Sequence, residues 1–200
     1  MKKFTRRGKI VSAHLSSYEV SLLVSLCNQL TEMLVEAVAE HPASATEEVA
    51  PAGEIDAEDP FEMWAKDFAA EPDAPELAED PAIQRLFPNA YPHDASAASD
   101  FRRFTARDLR DKKLASVRVV LGDLAATRYG AYPVKIGTEE VDAWLKTLTN
   151  LRLSVATRIG ITDSETAAEL TGVPDDDPRA YMYSVYEWLG FAQETLLLAL

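Results

Sequence analysis

Ser16 and Glu19 open the pattern that most constrains this chain. A serine followed three residues later by a glutamate lets hydroxyl and carboxylate each take up a backbone donor at a helix start. Behind them Val20, Leu23, Leu26, Cys27, Leu30, Met33, Leu34, Ala37 and Val38 recur at three-and-four spacing to about residue 40. That period places them on one side of an α-helix and cannot alternate along a strand, so the stripe must be buried against other elements. Those elements read as helices too. Asp59-Pro60, Asp80-Pro81 and Asp177-Pro178 each look like an N-cap followed by proline at the first helical position. They predict short helices over 60–69 and from Pro81, and a C-terminal helix with Tyr181, Val185, Trp188, Ala192, Leu196 and Ala199 along one seam. Asp94 reads as a turn-and-cap residue before a helix over 95–104. Thr105, with Asp108 three residues on, predicts a second helix to about Thr127, and Thr138 a third ending at Gly160.

Two segments fit a short sheet instead. Residues 9–15 and 132–136 alternate in polarity and are candidates to pair as two strands, with Pro133 at an edge where its missing N–H costs no ladder bond. They also begin an internal echo at an offset of 121 residues: "AHLSSYEVSLLVSLCNQL" lies over "VKIGTEEVDAWLKTLTNL", placing Ala13 on Val134 and Cys27 on Leu148. Chance convergence of strand-cap-helix units would look the same. The expected fold is thus mainly α, a single multi-helix domain over 1–200 with a minor two-stranded sheet.

Charge divides the chain. Residues 41–80 hold thirteen acids against Lys66 alone, a balance of −12 within a total of −13, so the rest is near neutral. "HPASATEEVAPAGEIDAEDP" has no apolar period, and 41–58 is expected to be a disordered acidic linker interrupting the domain. Inside the acidic region Phe61, Trp64 and Phe68 stand at i, i+3 and i+7, a short aromatic helix that docks either on its own domain or in the groove of a protein partner. The C-terminal "YMYSVYEWLGFAQETLLLAL" is the most apolar stretch, but Glu187, Gln193 and Glu194 would fall inside a bilayer, so it reads as a core helix or a homodimer seam and not a membrane span.

Chemistry is sparse. His14, His41 and His93 share no metal-ligand spacing, the glycines form no phosphate-cradling loop, and no Gly-x-Ser-x-Gly elbow occurs. The expectation is a non-enzymatic protein without metal or cofactor. Arg102, Arg103, Arg107, Arg110, Lys112, Lys113 and Arg118 make the most basic stretch, read as a solvated helix face first and as a face for nucleic acid or an acidic partner second. Arg152 and Arg158 lie in an otherwise apolar helix. Arg152 is expected to reach an acid on another helix, and Arg158 to favour the last turn's carbonyls. Cys27 sits in the middle of the first stripe with no basic residue between His14 and His41, so it is expected to be a buried, unreactive thiol and not a redox site. One cysteine fits a reducing cytoplasm.

The blocks "RLFPNAY", "SDFRRFT", "DLRDKK", "VVLGDL", "EEVDAWLKTLTNLRLSVATRIGI" and "YEWLGFAQETLLLAL", in that order, resemble an actinobacterial family first catalogued as a domain of unknown function, encoded beside the ClpS protease adaptor. It is now named the AosR-type oxidative-stress transcriptional regulators. The resemblance covers residues 1–40 and about 80–200. It implies a cytosolic regulator linked to redox stress and sulfur metabolism, with a sigma factor or RNA polymerase component as protein partner. DNA contact through the Arg102–Arg118 face is the alternative. The family's Asn-Asp-Leu-Arg-Leu reads Thr149-Asn150-Leu151-Arg152-Leu153 here, which removes a carboxylate near Arg152. An intramolecular disulfide needs two cysteines, so a redox role would require an intermolecular bond.

Overall fold

The computed structural model describes residues 1–38, 80–174 and 176–200. Ser16 Oγ accepts from the Glu19 N–H (3.2 Å) and Glu19 Oε2 accepts from the Ser16 N–H (2.7 Å), which starts helix α1, Ser17–Ala37, where the sequence places it. Asp80 Oδ1 accepts from Ala82 N–H at 2.8 Å and caps α2, Pro81–Leu86. Asp94 caps α3, Ala95–Ala126, by accepting from Ala97 N–H at 3.0 Å. Helix α4 spans Val141–Arg158, α5 Ser164–Leu170 and α6 Pro178–Leu198, the last capped by Asp177. The acidic linker at 41–58 and the aromatic helix at 60–69 lie outside the described residues.

Four expectations are corrected. The helices expected over 95–104 and 105–127 are one: no Pro or Gly interrupts the run before Gly122, and Thr105 Oγ1 donates to the Phe101 carbonyl one turn back (2.7 Å) instead of capping. Helix α4 starts at Val141, not Thr138, because Thr138–Glu140 form a turn in which Glu140 N–H donates to Gly137 O and Glu140 Oε2 accepts from Gly137 N–H. Helix α5 was not anticipated. Asp163 and Thr166 bond each other's backbone donors there, a capping box that uses Thr where Glu or Gln is usual.

The expected pair of strands is present, β2 Ile10–Ala13 with β3 Val134–Gly137, and the fourth correction is a third strand beside it, β1 Thr5–Arg7, all antiparallel in the order β1, β2, β3. The hairpin between β1 and β2 turns at Gly8, whose φ of +62° favours glycine. Strand β2 pairs with β3 so that Ala13 faces Val134, the same two residues that the echo superposes. Pro133 stands just before β3, an edge strand, and interrupts no ladder.

The described residues share one core. Helix α4 is its hub, packed against α1, α2, α3 and α6. Trp144 on α4 is buried, meets Phe4 edge-on at 6.2 Å between ring centres, and donates its indole N–H to Asp123 Oδ2 on α3 at 2.7 Å. Each fully buried leucine in such a core contributes about 1.5–3 kcal/mol. Gly130, in the connection from α3 to β3, lies so close to the start of α1 that an added Cβ would come within 2.7 Å of the Leu15 carbonyl oxygen. The C-terminal helix serves this core: Val185, Leu189, Ala192 and Leu196 are buried, while Tyr181, Phe191 and Leu198 face outward. Among the described residues no helix is long and apolar enough to cross a membrane.

Candidate functional site

Helix α3 carries the expected basic stretch, and its 32 residues divide into two halves of different character. The second half buries Leu114, Val117, Val120 and Leu124, whereas the first buries only Ala98 and Ala106. On the outer side of that first half Phe101 and Phe104 are exposed, at 41% and 60%. Their spacing of three residues keeps them on one face. Tyr91, also exposed, meets Phe101 edge-on at 5.8 Å, and the Arg103 guanidinium lies 4.6 Å from the Phe104 ring centre. The patch is aromatic and rimmed by charge.

The bases themselves do not form one free face. Arg110 turns toward the end of α1, donating to the Val38 carbonyl (3.3 Å) and pairing with Asp111 (3.0 Å). Lys113 turns inward to Asn150 Oδ1 on α4 (2.8 Å) and toward the Phe87 ring. Burial pushes the Lys113 ammonium below its ordinary pKa. Lys112 points the other way and pairs with Asp108 at 2.7 Å. Arg102 and Arg103 are half-buried, and Arg107 and Arg118 are exposed. Phe61, Trp64 and Phe68 lie outside the described residues.

The two arginines of α4 part company. Arg158, in the last turn of α4, makes an ion pair, its Nη2 2.5 Å from Asp80 Oδ2, and so clamps the end of α4 to the cap of α2. Among the described residues Arg152 reaches no acid, which corrects the expectation that it would. Among the described residues its partners are Gln193 Oε1 (3.2 Å) and the face of Tyr186 (4.7 Å), both on α6. Cys27 is fully buried among the stripe residues of α1, and burial pushes its thiol up to about 12, which leaves no thiolate at neutral pH.

Beside Arg152 lies a cleft of about 510 Å³ between α4, α5 and α6 that sequence reasoning missed. Arg85, Thr149, Arg152, Tyr186 and Gln193 supply its polar wall, and Leu153, Ala156 and Ile161 its apolar floor. The residues come from four separate stretches, so no local motif announces them. One signal was present: Gly190, a lone glycine inside an apolar helix, a placement that costs helix stability and calls for a packing reason. An added Cβ there would lie 3.3 Å from the Arg152 guanidinium carbon. Among the described residues no group of His, Cys, Asp and Glu could hold a metal ion.

A family model described as a domain of unknown function, DUF2017, matches residues 1–200. No curated protein and no solved structure matches the chain.

Proposed function

Since the chain belongs to the DUF2017 family over its whole length, we propose, from its own surface and from the resemblance to oxidative-stress transcriptional regulators, that it is a non-enzymatic cytoplasmic regulatory or adaptor protein. It acts by protein–protein contact with the transcription machinery, through a sigma factor or another RNA polymerase component. The observation that carries this reading is the exposed Phe101–Phe104 pair on the outer face of α3, flanked by Tyr91 and Arg107. Aromatic side chains and arginine in one patch are the composition from which interface hot spots are built. Direct DNA binding is less well supported, because Arg110 and Lys113 spend their donors inside the fold and Lys112 is paired with Asp108.

The test is binding of the full chain to purified RNA polymerase with and without its sigma factors. Phe101→Ser with Phe104→Ser is expected to weaken binding about tenfold or more while leaving the thermal midpoint in place. Unchanged affinity in that double variant removes the docking face. A gel shift at low salt that dissolves steeply with added salt, and is lost in Arg107→Gln, would favour DNA instead.

A further inference from the structure

We infer that the cleft between α4, α5 and α6 binds a small organic anion, with a carboxylate or phosphate head held by Arg152 and Arg85 and an apolar body on the cleft floor. Arg152 is held in place before any ligand arrives. Its guanidinium stacks on Tyr186 at 4.7 Å and passes closely over Gly190, where an added Cβ would lie 3.3 Å from the guanidinium carbon. Gln193 is oriented in turn: its Nε2 donates 2.7 Å to Thr149 Oγ1, which donates to the Leu145 carbonyl, so its Oε1 is left facing Arg152. These partners fix the cation and do not neutralise it. Arg152 Nε is buried without a hydrogen-bond acceptor.

Arg85, in the same wall, is likewise held by neutral oxygens, donating to the Ile161 carbonyl (2.7 Å) and Thr157 Oγ1 (3.4 Å). Among the described residues neither guanidinium has a carboxylate partner. Two such cations in one concavity attract an anion, and a planar carboxylate or a phosphate matches the guanidinium fork. The one acid in the wall, Asp163, is committed to capping α5, accepting from the Glu165 and Thr166 N–H groups at 3.0 and 2.9 Å. At about 510 Å³ the cleft is of small-molecule size, and Leu153, Ala156 and Ile161 give it an apolar floor. The inference is independent of the docking face on α3.

Calorimetric titration of the full chain with benzoate and with phenyl phosphate tests it. At least one is expected to bind at millimolar concentration or below, and the preferred one identifies the head group. Arg152→Met should weaken that binding about tenfold or more, the value of a charge-assisted contact. Ser164→Glu places a carboxylate at the cleft mouth on an exposed first position of α5, where an acid suits the helix, so it should weaken binding with the fold intact. Should Arg152→Met fail to fold, Ser164→Glu decides. Failure of both probes to bind the native chain, or equal affinity in the folded variants, overturns the inference.

Discussion

Cys27 shows how far a single side chain can be read without coordinates. Its place in the α1 stripe and the lack of nearby bases predicted a buried thiol, and the structure buries it fully with the thiol raised to about 12. A thiol reagent should therefore leave the native protein unlabelled and react at one site only after unfolding. Rapid labelling of the folded chain would contradict this. Asp123 was not legible in the same way, because its surroundings are assembled from three elements. Burial raises its carboxyl above the ordinary range, the Trp144 N–H opposes that rise, and Glu140 adds to it. A raised folded pKa means that the folded state holds the proton more tightly, so stability is lost as pH climbs through that pKa. Asp123→Asn keeps an acceptor for Trp144 and removes the charge. It should stabilise the protein at neutral pH by less than about 1 kcal/mol, since solvent still screens the carboxylate, and the gain should vanish in acid. Denaturant titration at both pH values measures it. Arg152 was conspicuous in sequence, but its partners were not, since Tyr186, Gly190 and Gln193 stand more than thirty residues away.

Among the elements, helix starts were legible where a short side chain and its backbone donor are adjacent in sequence. The capping box at Ser16 and the Asp-Pro starts at Asp80 and Asp177 belong to this class. Starts fixed by competing bonds were misread. Thr105 offers the same chemistry as a cap but bonds back to Phe101, and Thr138 sits in a turn organised by Glu140. The β1 strand escaped notice because three residues of exposed Thr and Arg carry no apolar alternation. Asp80 offers a test at this scale, since it both caps α2 and pairs with the end of α4. Burial tends to raise its carboxyl, but the Ala82 N–H and Arg158 outweigh that and hold it below the usual carboxylate range. Its contribution is therefore present above the unfolded pKa and lost as pH falls through the depressed folded one. Asp80→Ala should cost about 1 kcal/mol at neutral pH, and denaturation in strong acid should show the two proteins converging.

For the whole molecule, composition separated a near-neutral helical core from an acidic segment, and the described residues form that core around α4. The echo between the two strand-helix units has a structural counterpart in the pairing of Ala13 with Val134 across β2 and β3. Function is less accessible to sequence because it rests on what the core leaves uncovered, and exposure emerges only after every helix has been packed. Nothing in the sequence sets Phe101 and Phe104 apart from other apolar residues of a basic helix, and only the exposed face on which they stand does so. The proposal that this face docks on the transcription machinery is tested most directly by a photoreactive phenylalanine analogue at position 104, illuminated in native lysate, with Ser21 on α1 as the control position. The account predicts an adduct containing a sigma factor or an RNA polymerase subunit from position 104 and none from position 21. Adducts without any polymerase component at 104, or equal yields from the two positions, would contradict it.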